Sequence, residues 1–301
     1  MTSAKPTRHI RRRIPRSRDE VVIEWVANIV LGIIIVTCLY PFLNIIAKSF
    51  SSEGPILAGE VFLIPKGFTT IAYKIVLGSP RFWNSFRSSI FITVVGTALN
   101  LMLTAFVAYA LSRKQLPGQK LIAFLYIFTM LFGGGLIPTY LVVVNSGLYN
   151  TLWSLIIPGL VSPFNLILMR NYFSTIPESL EESAKLDGAG HFTVLFRIVL
   201  PLALPSIATI GLFCAVGTWN EYFNALIYIN NRAIVPIQVY LREILLNAGS
   251  ADLNNMDLML QVAQEAVRGA TVFAATVPIL LIYPFLQKYY VQGMTTGAIK
   301  E

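Results

Sequence analysis

"EESAKLDGAGHFTVLFRIVLPLALP", residues 181–205, sets a charged patch directly before a long apolar run. Glu181, Glu182, Lys185 and Asp187 crowd together there, in a chain of 301 residues of which only 13% are charged and 55% are hydrophobic. Soluble domains carry roughly 25% charged residues to coat their surface. With a mean hydropathy of +0.66, this composition belongs to a membrane protein. The patch is therefore an interruption between membrane segments, and its position orders everything around it.

Working outward, apolar runs of the roughly 20 residues needed to cross a bilayer fall at residues 21–47, 86–111, 121–144, 152–169, 202–228 and 270–290. They predict an all-α, polytopic membrane protein with six transmembrane helices and no room for a sizeable soluble domain. The first run follows basic residues as a signal peptide would. It is longer than the roughly 7 to 15 residues of a signal-peptide core, so it reads as an uncleaved span.

Charge sets the expected topology. The formal net charge of +8 is concentrated in "KPTRHIRRRIPRSR", residues 5–18. Such an arm stays on the cytoplasmic side, near anionic lipid; no aromatic residue interleaves with its arginines, so it is not a nucleic-acid surface. The next cytoplasmic connection, "SRKQLPGQK", carries Arg113, Lys114 and Lys120 and no acid, whereas "NSGLYN" on the other side carries no charge. Both termini then lie in the cytoplasm, and so does the patch at 181–187. The chain divides into a basic arm (1–20), a first span (21–47), an external loop (48–85), a core (86–290) and a cytoplasmic tail (291–301). The core contains the cytoplasmic loop 176–200 and an external segment, 230–268, whose apolar residues recur at helical spacing and suit docking of an external partner.

The patch has its own local logic. Pro177 suits the first turn of a helix, and Glu178, Glu181 and Glu182 sit near the positive end of its dipole. Leu180 and Ala184 share a face, on which alanine permits close approach. Gly188 and Gly190 end the helix. A second amphipathic stretch from His191 leads through Pro201 and Pro205 into the fifth span. A short helix with a small-residue face buries little on its own and fits a groove in another protein.

In this order the residues resemble the EAA loop of membrane subunits of bacterial ATP-binding-cassette (ABC) importers. The match holds at Glu181, Ala184, Asp187, Gly188, Ala189 and the Leu200–Pro201 pair; "EESA" departs from the usual EAA. "NSFRSSIFITVVGTALNLMLTAFVAYALSR", "GTWNEYFNAL" and "VQGMTTGAIKE" extend the resemblance to MalG-like permeases of the carbohydrate uptake transporter type 1 family. "GGGLIPTYLVV" and "SPFNLILMRNYF" resemble its LplC/YtcP-like branch, which implies complex oligosaccharides, including uronate-containing ones.

The resemblance implies a type I (MetI-like) permease fold in the bacterial cytoplasmic membrane. It implies a second, MalF-like permease subunit, a dimer of ATP-hydrolysing subunits that holds ATP and Mg, and an external solute-binding protein. It assigns Glu181, Glu182, Ala184, Asp187, Gly188 and Ala189 to a coupling helix on the ATPase subunit. No cofactor is expected on this chain, and no phosphate loop of the GxxxxGK[ST] kind occurs in it.

For the substrate pathway the candidates are the polar residues of the spans, which are costly at membrane depth: Asn100, Asn165, Trp219, Asn220 and Glu221. Asn100 and Asn165 also fit plain helix-to-helix hydrogen bonds, and Trp219 an interfacial anchor. Cys38 and Cys214 read as buried apolar side chains, and His9 and His191 lack partners for a metal. The chief alternative, a stand-alone secondary transporter, would need mid-membrane charges for ion coupling and inverted repeats, and neither is evident. A membrane enzyme would need a nucleophile beside a base.

Overall fold

The computed structural model describes residues 18–113, 115–246 and 264–298, and the described residues form helices and connecting turns without strands. Helix α1 (Arg18–Ser49) is apolar on all sides, with Asp19 and Glu20 in its first turn and Lys48 in its last. Both sets of charges oppose the helix dipole. Most of α1 is exposed, as a helix solvated by lipid must be.

Beyond α1, a compact layer is built from α2 (Glu53–Leu57) and α3 (Ile71–Gly78). The Asn44 amide donates to the carbonyls of Val61 (3.0 Å) and Phe62 (2.8 Å), pinning the connecting loop to the end of α1. Phe50 stacks on Tyr73 with ring centroids 4.6 Å apart. Burial pushes the Tyr73 phenol above its ordinary value, so it stays protonated beside the Ser49 hydroxyl at 2.8 Å.

Helix α4 (Pro80–Ser112) is the axis of the molecule. Ser79 caps it by accepting from the Phe82 amide, and Pro80 occupies the first turn, where a missing donor costs nothing. Its buried positions include Ser85, Ser88, Ser89, Gly96, Ala105 and Ala108. Small residues let neighbouring backbones approach within membranes.

The predicted third span, 121–144, is broken. Helices α5 (Gln119–Leu131) and α6 (Leu136–Asn145) meet at 115°, across glycines that include Gly135 at φ 87°. The predicted fourth span, 152–169, is not one helix either. A 3-10 turn (Leu152–Leu155) is followed by irregular chain through Pro158 and Gly159, and α7 (Pro163–Phe173) begins at the next proline. Proline removes an amide and restricts the residue before it, which stops a helix that composition alone would continue.

After α8 (Glu178–Leu186), α9 (His191–Val194) runs through a π turn (Leu195–Val199) into α10 (Leu200–Leu202). The next segment, α11 (Leu204–Trp219), departs at 82°. The π turn accommodates Pro201, which has no amide for the preceding turn, and Pro205 starts the new helix. Helices α12 (Phe223–Tyr228) and α13 (Ile237–Leu246) follow, and α14 (Gln264–Ala298) closes the described chain.

Three helices are thus long and apolar enough to cross a membrane, or five spans result if each bent pair crosses as one, rather than six uniform helices. Helix α4 begins before residue 86. Helix α14 starts inside the segment assigned outside the membrane and continues into the assigned tail. Of the external segment, α13 is described, and 247–263 lie outside the described residues.

Two main cores flank α4. At one end Phe82, Trp219, Ile237, Tyr240, Ala266 and Ala270 join α3, α4, α11, α13 and α14. At the other, Tyr109, Met169, Phe173, Val194, Leu195 and Ile210 join α4, α7 and the α9–α11 run.

Candidate functional site

Helix α8 is held by its own chain before it can meet any partner. Phe173 and Ile176 are fully or nearly buried just ahead of it, anchoring the end of α7. Pro177 stands immediately before the first helical residue, Glu178, rather than within the first turn. The helix ends at Gly188, whose φ of 82° is the left-handed conformation glycine adopts without strain. The Ala189 amide reaches back to the Ala184 carbonyl (2.9 Å), satisfying a carbonyl that a helix end leaves open.

Glu181 is 3% exposed and forms an ion pair with Arg113, the residue that ends α4. The Arg113 guanidinium lies 4.7 Å from the centroid of the Tyr109 ring. A buried charge is costly unless paired, so each residue fixes the other. The carbonyls at this end of α4 are capped in turn, Leu111 accepting from Arg170 Nε (2.9 Å) and from the Gln119 amide (2.5 Å).

The six residues expected to meet a partner therefore separate. Glu182, Asp187 and Gly188 are exposed. Ala184 and Ala189 are half-buried against the chain's own core, and Glu181 faces inward. The exposed face also carries Leu186, 90% exposed, and Phe192, 72% exposed. Apolar groups this open at the edge of a charged helix mark a contact surface. In the sequence Arg113 is legible only as a topology marker. Nothing local connects it to Glu181, because their pairing depends on how α4 and α8 meet.

A second constellation lies at mid-chain. A cavity of about 200 Å3 is lined by Asn100, Asn165, Ser162, Cys214, Thr218 and Glu221 among others. Asn165 Nδ2 donates to Cys214 Sγ (3.3 Å), Cys214 donates to Asn100 Oδ1 (3.0 Å), and the Thr104 hydroxyl donates to the same oxygen (3.3 Å). Cys214 thus joins a polar network, where sequence placed it among apolar side chains. The Glu221 carboxylate accepts from the Asn224 backbone amide (3.1 Å) and side chain (3.2 Å).

The other two pathway candidates lie elsewhere. Trp219, 5% exposed, packs edge-on to Phe86 with centroids 5.9 Å apart. Asn220 is exposed, and its amide donates to the Val216 carbonyl (2.8 Å). Among the described residues no three His, Cys, Asp or Glu side chains gather closely enough to hold a metal ion.

Comparison with known proteins fits this geometry. A family model described as "Binding-protein-dependent transport system inner membrane component" matches residues 75–296. Protein LplC of Bacillus subtilis (strain 168) is 46% identical over 277 residues, which cover 91% of this chain and 94% of that protein. The polygalacturonan/rhamnogalacturonan transport system permease protein YtcP of the same organism is 43% identical, covering 87% of this chain and 93% of that one.

Among solved structures, a chain of a bacterial ABC transporter involved in the import of the acidic polysaccharide alginate superposes with a TM-score of 0.88 at 35% identity. That match covers 92% of this chain and all of the other. A chain of the bacterial alginate ABC transporter in complex with alginate pentasaccharide-bound periplasmic protein matches at a TM-score of 0.51 and 14% identity, a likeness of fold alone.

Proposed function

Because the chain belongs to the family of binding-protein-dependent transport system inner membrane components, we propose that it is one permease subunit of an ABC importer for oligosaccharides that contain uronate units. The observation that carries this reading is α8. It is a short helix clamped to α4 on one side and open on the other through Glu182, Leu186 and Asp187. A helix so exposed, in a chain otherwise built for lipid, suits a groove on a soluble subunit. The substrate class is supported by the likeness to one polygalacturonan/rhamnogalacturonan transport system permease and to a chain of an alginate importer.

In this reading the α8 end faces the cytoplasm and rests on an ATP-hydrolysing subunit dimer that supplies ATP and Mg; this chain binds neither. A second, MalF-like permease subunit completes the pathway. The α3 and α13 end faces outward and receives a solute-binding protein. ATP can reorient the spans only if its binding energy differs between the inward- and outward-facing states. Glu182, Asp187 and Gly188 form the contact through which that difference acts, and Ala184, Ala189 and Glu181 hold the contact in place. No bond of the sugar changes. Asn100 and Asn165 offer hydrogen-bonding groups to a passing sugar, and Glu221, whose carboxylate accepts from Asn224, sets the charge of the same polar cavity on the pathway. Trp219 and Asn220 act outside that cavity, as packing and as an exposed polar group.

The test is copurification followed by reconstitution. The chain should carry a second permease and an ATPase subunit with it, and the complex in vesicles should take up polygalacturonan or rhamnogalacturonan fragments only with ATP. Solute movement by the chain alone, down an ion gradient, would overturn the reading in favour of a secondary transporter.

A further inference from the structure

Helix α4 is gripped at both ends by the same device. At its start, Arg81 pairs with Glu243 of α13, and its guanidinium lies 5.6 Å from the centroid of the Tyr240 ring. At its finish, Arg113 pairs with Glu181 of α8 and lies 4.7 Å from the centroid of the Tyr109 ring. The side chains involved are at most 32% exposed at the first clamp and 15% at the second. Such pairs resist opening, because separating them leaves a poorly hydrated charge without its partner.

Between the clamps α4 is continuous from Pro80 to Ser112. At about 1.5 Å rise per residue it spans roughly 50 Å. Its one proline is Pro80 in the first turn, and at its one glycine, Gly96, a Cβ would stand 3.7 Å from Ile156 and Thr218 side-chain atoms, so neighbouring side chains back the helix there. Two other routes along the chain are sharply bent, by 82° between α10 and α11 and by 115° between α5 and α6. A bent route can absorb a displacement; a straight helix held at both ends passes it on.

We propose that α4 is a connecting rod: the two Arg–Glu clamps join α13 to α8 so that a shift of α8 is conveyed to α13, and the reverse. The proposal rests on the reading of α8 as the contact with an ATP-hydrolysing subunit. It adds α13 as the element that senses ATP from the far end, with Arg81, Glu243, Arg113 and Glu181 as positioning residues. The link is reciprocal, since coupling between two sites acts equally in both directions. It rests on physical continuity of packed elements rather than on proximity alone.

The test uses the assembled complex in lipid, with ATP and vanadate as the probe and amide hydrogen exchange in α13 as the readout. In the wild type, exchange in α13 shifts when ATP and vanadate are added. Glu243→Gln, at the clamp far from the ATP-hydrolysing contact, loses that shift in a complex that still assembles and hydrolyses ATP, an outcome that weakened folding alone would not give, and Glu181→Gln loses it wherever its complex assembles. The double exchange Arg113→Glu with Glu181→Arg restores it, and this arm decides the matter if the single variants fail to assemble. A shift that persists in Glu181→Gln overturns the rod, as does a charge exchange that assembles without restoring it. A wild-type complex that hydrolyses ATP with no change in α13 overturns the rod and leaves the transport reading standing. A chain that draws no ATP-hydrolysing subunit with it overturns both.

Discussion

Glu181 and Glu182 are consecutive residues on different faces of α8: the first is 3% exposed and closes on Arg113, and the second is open to solvent. Helical geometry turns neighbours by about 100°, which suffices here to divide one acidic pair into an internal clamp and an external contact.

The two acids should therefore respond differently to substitution. Glu181→Ala leaves Arg113 buried without its partner, and breaking such a pair by removing one side costs about 3–5 kcal/mol. Glu182→Ala, on the surface, should stay within about 0.5 kcal/mol. Thermal unfolding in detergent reads the difference as a lowered Tm for the first alone. Glu182→Lys is expected to insert normally and lose ATP-driven uptake. Equal Tm losses for the two alanine variants would contradict the assignment.

Gly188 and Gly190 also separate. Gly188 has φ 82° with open space around a Cβ, so any substitution there is strained without being crowded. The left-handed conformation costs an L residue about 1–2 kcal/mol. Gly190 has φ −74° and open space, which alanine accepts. Gly188→Val should distort the end of α8 and abolish uptake while membrane insertion persists. Gly190→Ala should transport like the wild type. Full uptake by Gly188→Val would mean that the shape of this turn is immaterial.

Close packing between α1 and α14 makes a third prediction. A Cβ on Gly269 would stand 2.8 Å from the Ile45 carbonyl oxygen and 3.2 Å from Ser49 Cβ. The obstacle is backbone, which cannot rotate aside. Gly269→Ala should cost about 1–3 kcal/mol, as overpacking generally does. Gly217→Ala, with nothing within 4 Å, should show no such crowding penalty. Paired Tm measurements check this; an unchanged Tm for Gly269→Ala would show that α1 is free to shift.

The carboxylate at the polar cavity bears on the substrate. An acidic sugar at roughly 15 Å from Glu221 would meet about 1 kcal/mol of repulsion at an effective dielectric of about 20. Glu221→Gln should then lower the half-saturating concentration for uronate oligosaccharides about fivefold in vesicle uptake, through loss of that repulsion. Neutral oligosaccharides should be unaffected. No change for either class would place Glu221 away from the pathway, and an equal gain for both would rule out charge repulsion as its effect.

The helical class, the membrane setting and the α8 motif were legible in the sequence because each depends on composition or on neighbours a few residues apart. Low charge and long apolar runs announce lipid as the solvent. Pro177, the acids after it and Gly188 announce a short helix with a defined end, and the structure places that helix at Glu178–Leu186. The uniform six-span pattern was less legible. Hydropathy registers how apolar a stretch is and is nearly blind to Gly133, Gly134, Gly135, Pro158 and Gly159, which break two of the six runs.

What the sequence determined by itself was local: where apolar segments run, where α8 starts and stops, and which polar residues are costly in a membrane. Tertiary structure decided the pairings. Only the fold brings Arg113 to Glu181 and Arg81 to Glu243. It also gathers Asn100, Asn165 and Glu221 around one cavity while turning Trp219 into a core. The reason is physical: a charge or amide buried in apolar surroundings must find its partner wherever packing brings one within reach. That distance is set by how helices cross and bend, which no local pattern of residues encodes.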